Sequence, residues 1–146
     1  MEKIIISSCL LGNNCKYNGL NNYNSLVEEL KKYYELIPIC PEVFGGLNIP
    51  RDPSEIKGDK VISINNKDVT KEFYLGANMA LDIAKKNNIK IAILKEGSPS
   101  CGNNYIYDGT FTKTKINGSG ITARLFKDNN IKIYTENEID ELLKLL

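Results

Sequence analysis

Hydrophobic residues in this chain fall into two kinds of run, and the two kinds alternate. Short unbroken aliphatic stretches at 3–8, 36–40 and 89–94 have the length and branching of buried strands. Between them, Val69, Phe73, Ala77, Ala80, Leu81 and Ala84 recur at helical spacing. The pattern predicts strand 3–8, helix 25–34, strand 36–40, a short strand 61–64, helix 69–86, strand 89–94, a short helix 120–128 and strand 131–134. A last helix starts at the capping box Thr135-x-x-Glu138. Asp68 is placed to cap the long helix, and Lys85 and Lys86 suit the dipole at its other end. Residues 41–60 and 95–120 hold most of the Gly and Pro and are predicted mainly as loop. Loops of that length in a small domain are more often functional than idle. Strands that alternate with helices lie mostly parallel, so the expected architecture is one three-layer, Rossmann-like α/β domain over residues 1–146.

That architecture gives the cysteines a meaning. Cys9, Cys40 and Cys101 each follow a strand, and the carboxyl ends of parallel strands share one sheet edge, where open α/β folds bind ligands. Three thiols from distant parts of the chain are therefore expected at one place. Cys15 stands apart, inside an Asn- and Gly-rich loop, and is left out of the set. There is no Cys-x-x-Cys pair, which argues against a thiol redox enzyme and against a local zinc knuckle. The competing reading is four inert buried cysteines.

Composition narrows the chemistry further. The chain has no histidine, which removes Ser-His-Asp and Cys-His catalysis and imidazole metal sites. Soft thiolates favour zinc, Cu(I) or iron–sulfur clusters over magnesium or calcium. A net charge of +1 without a basic run leaves no footprint for a nucleic-acid polymer. No stretch approaches the ~18 apolar residues that read as a membrane span, and no signal-peptide layout opens the chain. A cytoplasmic setting is expected, where clustered thiols mean metal or catalysis more often than disulfides. Neither Gly-x-Gly-x-x-Gly nor a P-loop follows the first strand, so dinucleotide and nucleotide-triphosphate enzymes are excluded.

Without histidine, proton transfer falls to a carboxylate, lysine, tyrosine, thiol or water. Glu42, two residues past Cys40, reads either as a solvated loop glutamate or as that acid/base, with burial beside other anions raising its pKa. Ser98 and Ser100 read as turn hydroxyls or as substrate contacts. Lys95 and Arg51 read as surface cations or as contacts to an anion or carbonyl, and Asp108-Gly109 as a turn.

Taken together, Ser8-Cys9-Leu10-Leu11-Gly12, Cys15-Lys16-Tyr17-Asn18-Gly19, Pro38-Ile39-Cys40-Pro41-Glu42-Val43, Ser98-Pro99-Ser100-Cys101-Gly102 and Tyr107-Asp108-Gly109-Thr110-Phe111 make the chain resemble the thiouracil desulfurase family. The resemblance implies a 4Fe–4S cluster held by Cys9, Cys40 and Cys101 only, with one iron left for the sulfur of a thiolated pyrimidine base. By the same matching Glu42 and Ser98 are the catalytic pair and Ser100 a substrate contact, with the choice between the two serines open. Lys16-Tyr17-Asn18-Gly19 departs from the family, where an arginine and an aspartate are more typical, and bears on fine substrate contacts. The reading carried beside it is a non-catalytic metal-binding or metallochaperone module, with all four cysteines closing one site.

Overall fold

The central sheet has the order β2-β1-β5-β8 with every pair parallel, formed by β1 (Glu2–Ser7), β2 (Tyr34–Ile39), β5 (Ile91–Leu94) and β8 (Lys132–Thr135). The structure, a computed structural model, describes all of residues 1–146. Alternation along the strands sends side chains to two helical layers. Ile5, Ala92, Leu94 and Ile133 pack against α3 (Thr70–Lys86) and α4 (Ile121–Asp128) through Ala80, Leu81, Ala84, Ala123 and Phe126. Ile4, Ile6, Ile93 and Tyr134 face the other way, onto Val27 and Leu30 of α1 (Val27–Leu30) and Ile139 and Leu142 of α5 (Ile139–Leu143). Each fully buried Val, Ile, Leu or Phe among them contributes about 1.5–3 kcal/mol by leaving water, which makes these two seams the main hold on the fold. The expected three-layer α/β architecture with a mostly parallel sheet is what the chain adopts.

The chain visits β2 on one side of β1 and then crosses to β5 on the other. Strand order therefore reverses between β1 and β5, and a crevice opens past their carboxyl ends. The Thr135 capping box forms as expected, and Asp68 Oδ1 accepts the Thr70 amide at 2.9 Å at the start of α3.

One expectation needs correction, and the two loop segments each carry a hairpin strand pair or part of one. The helix placed at 25–34 is a single four-residue α-turn, because Tyr34 pairs in register with Glu2 and must already be strand. Tyr34 is buried in the core while Tyr33 beside it is 50% exposed. Residues 41–60 are mainly loop as expected, yet they also hold α2 (Pro41–Phe44) and β3 (Ser54–Lys57), which pairs antiparallel with β4 (Lys60–Ser63) in a hairpin outside the central sheet. The signal was present in Gly58-Asp59 between alternating residues, since a two-residue hairpin loop with glycine first (φ 65°) suits strand twist. Residues 95–120 likewise contain a second antiparallel pair, β6 (Tyr105–Tyr107) with β7 (Lys115–Asn117). Both hairpins stand over the crevice, and Ile56, Val61 and Ile106 anchor them on Val69, Phe73 and Ala77 of the α3 region.

Candidate active site and metal centre

A cavity of about 640 Å³ occupies the crevice, and all four cysteines, Glu42 and Ser98 line it. Cys9 sits buried on a 3₁₀ turn that continues directly from β1, under a loop that folds back so that Asn22 N–H donates to the Cys9 carbonyl at 3.0 Å. Asn22 Nδ2 also donates to Cys9 Sγ at 3.4 Å. Cys40 is the residue before α2, in extended conformation, and Pro41 behind it has the φ of a first helical residue and no amide to leave unpaired. Cys101 lies in a turn past β5 and is 5% exposed.

Cys15 is not apart from the others. Its loop returns it to the cavity that Cys9 and Cys40 also line, where Cys40 Sγ contacts the Cys15 carbonyl at 3.8 Å. Hydrogen bonding from Cys15, against the opposing effect of burial, draws the Cys9 and Cys40 thiols down to about 7. The interaction with Cys40 first, and with Cys9 second, pushes the Cys15 thiol up. Cys101 is pushed up to about 12 by burial.

Glu42 faces a guanidinium as well as the cavity that the thiols line. Arg51 Nε donates to Glu42 Oε1 at 3.0 Å in a pair whose side chains are only 8% and 17% exposed. The rest of the fork donates to the Asn48 carbonyl at 3.2 Å and the Cys15 carbonyl at 2.8 Å. Arg51 is therefore no surface cation: it ties the Glu42 carboxylate to the two loops that flank it. Lys95 is spent on Glu136 at 2.9 Å and on the Glu96 carbonyl at 2.8 Å. Burial alone would pull its ammonium down, but the Glu136 hydrogen bond and charge leave it raised.

The two serines separate by their hydrogen bonds. Ser98 Oγ accepts the amides of Ser100 (3.0 Å) and Cys101 (3.1 Å), which shapes the turn that presents Cys101 and leaves the hydroxyl proton free to donate. Ser100 is turned inward: it is 1% exposed and its Oγ is paired with Thr122 Oγ1 at 2.9 Å. The Cys101 turn is also pinned to the start of α4, where Gly120 N–H donates to the Gly102 carbonyl at 2.7 Å and a Cβ on Gly120 would collide with the Ser100 backbone.

Sequence reasoning missed Glu96, which is 4% exposed and collects the loop around its carboxylate. Oε1 accepts the amides of Gly97 (3.2 Å), Asn103 (2.7 Å) and Asn104 (3.0 Å), and Oε2 accepts Asn104 Nδ2 at 2.8 Å. Burial alone would raise its pKa, but the amide donors together hold it below the usual carboxylate range. A depressed carboxylate stabilises the fold fully above its unfolded pKa, and that contribution is lost as pH falls through the folded value. Glu96→Gln sets an NH₂ group against amide donors and is expected to cost about 1–3 kcal/mol at pH 7. Thermal melts from pH 7 to pH 3 should show the gap to wild type narrowing below about pH 4.3, the ordinary Glu value. A gap independent of pH would show that shape, not charge, is what Glu96 supplies.

The donor set fits an iron–sulfur cluster. Four thiols share one half-buried cavity without histidine, yet no three Cys, Asp or Glu side chains converge closely enough to hold a single metal ion. Thiolates spread around a wider space suit a polynuclear cluster rather than one zinc ion. The closed four-thiolate site carried as the second expectation lacks that convergence.

Comparison with known proteins agrees. The family model for 2-thiouracil desulfurase matches residues 4–138. The chain belongs to this family. It is 39% identical, over an alignment of 150 positions covering 96% of the chain and 99% of the relative, to the uncharacterized protein YbbK of Bacillus subtilis (strain 168). The solved structure of the 4Fe–4S-dependent thiouracil desulfidase TudS superposes with a TM-score of 0.93 at 38% identity, over 100% of both chains. No helix of this 2-thiouracil desulfurase family member is long and apolar enough to cross a membrane.

Proposed function

We propose that this protein, one α/β domain acting in the cytoplasm, removes sulfur from thiolated pyrimidine bases, thiouracil to uracil, by hydrolysis at a 4Fe–4S cluster. The observation that carries the reading is the cavity that gathers four thiols and the ion-paired Glu42 in a chain of this family. Water supplies the oxygen of the new carbonyl and the sulfur leaves as hydrogen sulfide, so atoms balance and no electron is transferred.

Cys9, Cys40 and Cys101 are the ligands in this reading. When bound, the cluster supplies an iron without a protein ligand, a Lewis-acid position suited to a soft thiocarbonyl sulfur. Glu42 takes a proton from the water adding to the carbon and returns it to the departing sulfur, then passes on the second proton as the new hydroxyl becomes the carbonyl, while Arg51 fixes which carboxylate oxygen is free. Ser98, whose oxygen already accepts two amides, donates its hydroxyl proton into the cavity and orients the water or the base. Ser100 acts on the substrate only through the turn it buttresses with Thr122.

Anaerobic reconstitution followed by sulfide release from thiouracil tests the activity. A protein that takes up about four irons and releases no sulfide from any thiolated base would overturn it. Serine in place of Cys9, Cys40 or Cys101 is expected to abolish iron retention. Cys15→Ser is expected to keep the iron, because Cys15 is not among the three ligands of this reading. Iron counting and EPR of the reduced protein decide each case.

A further inference from the structure

The loop joining β6 to β7 holds two non-glycine residues in the left-handed region, Phe111 (φ 58°) and Lys113 (φ 61°), and Phe111 lines the cavity that also contains the cysteines. A bulky side chain at positive φ costs on the order of 1–3 kcal/mol and persists only where its surroundings enforce it. The enforcing group is a carboxylate from the neighbouring hairpin. Glu55, on β3, reaches across with Oε1 and accepts the amides of both Gly109 (2.9 Å) and Phe111 (3.1 Å). Gly109 is itself at φ 93° and so close to β3 that a Cβ there would press on the Ile56 carbonyl. Thr110, Thr112 and Thr114 add a line of hydroxyl contacts along the outside of the loop, which leaves Phe111 as its one apolar residue. A hydrophobic ring set in a polar loop, in a strained backbone, clamped by a carboxylate from a separate hairpin and facing the cavity has no packing reason to be there: it belongs to none of the three core clusters.

We propose that Phe111 is the aromatic wall on which the pyrimidine ring of the substrate stacks, and that Glu55 is the positioning residue that holds it. This rests on the desulfurase reading above. A flat, π-deficient ring needs a partner face to fix its plane, and only when that plane is fixed is the thiocarbonyl carbon presented to the water that Glu42 serves. Clamping from β3 makes the wall rigid, so ring binding does not have to order the loop.

The experiment compares Phe111→Ala, Phe111→Tyr, Glu55→Ala and Glu55→Gln with wild type in the reconstituted holoenzyme. Three readouts are taken: iron per chain, KM and kcat for thiouracil, and the dissociation constant of uracil by calorimetry. Phe111→Ala is expected to raise KM and weaken uracil binding about 10- to 100-fold, the range seen when a base loses its stacking partner. Its kcat should stay within about threefold of wild type, because the reacting groups are untouched. Phe111→Tyr keeps the face and should restore both constants. Glu55→Ala should raise KM about five- to tenfold and speed hydrogen exchange at the Gly109 and Phe111 amides, and Glu55→Gln, which retains an acceptor oxygen, should recover most of the loss. Unchanged KM and uracil affinity in Phe111→Ala at equal iron would overturn the proposal, as would loss of iron in that variant. A wild-type protein that binds uracil through Phe111 but desulfurates no base would support the wall while removing the activity assigned above, so the two failures are separable.

Discussion

Glu42→Gln should reduce thiouracil turnover by about 10²–10⁴-fold while leaving iron content and uracil affinity near wild type. The size follows from what a general acid–base group contributes when nothing nearby can replace it. Replacement is blocked on each side. The chain has no histidine; Lys95 is occupied by Glu136 and a backbone carbonyl; Ser98 Oγ already accepts two amides and is left with a proton to give, not a site to take one. Glutamine still offers Arg51 an oxygen, so the link from Arg51 through the Cys15 and Asn48 carbonyls survives and the loops stay in place. The loss should therefore appear in the chemical step of a single turnover rather than in KM. Turnover within tenfold of wild type at equal iron would remove Glu42 as the base.

What the sequence disclosed of this site followed the sheet. Cys9 and Cys40 come together because β1 and β2 are adjacent and parallel, and runs of Ile and Leu ending in a thiol make that readable. Glu42 followed, since a residue on the turn after Cys40 cannot be far from it. What lay hidden depends on loops that return to where they began. Cys15 reads as remote because nothing in Gly12-Asn13-Asn14 announces the fold-back that Asn22 and Asn24 secure on the Cys9 and Leu10 carbonyls. Glu96 reads as an ordinary charge after a strand, because its partners are backbone amides seven to nine residues on and amides carry no sequence signature. Ser98 and Ser100 look alike in the chain and differ only in which neighbour each oxygen faces. The turn α2 escaped for another reason. Four residues are too few to show a helical period, and tertiary packing rather than propensity holds them in a helix.

That packing rests on glycine, and Gly76→Ala should unseat the metal site from a position on the far side of α2. α2 crosses α3 so closely that a Cβ on Gly76 would overlap the Pro41 carbonyl, and one on Gly45 would overlap the Glu72 carbonyl. Neither obstacle can yield easily. The Pro41 carbonyl accepts the Gly45 amide at 2.9 Å, so turning it aside breaks the bond that closes α2. Alanine gains about 1 kcal/mol of helix propensity over glycine inside α3, whereas overpacking against fixed backbone costs about 1–3 kcal/mol and sometimes more. Sterics should win, and the least constrained way to relieve them is for α2 to lift off α3, taking Cys40 at its start and Glu42 in its first turn with it. The expected result is a melting temperature lower by several degrees together with iron retention well below wild type, the second effect larger than the first. Leu75→Ala, one residue away but 54% exposed, should change neither. A Gly76→Ala protein with full iron and an unchanged melting curve would mean that α2 can shift without moving Cys40, and the role given to this crossing would fall.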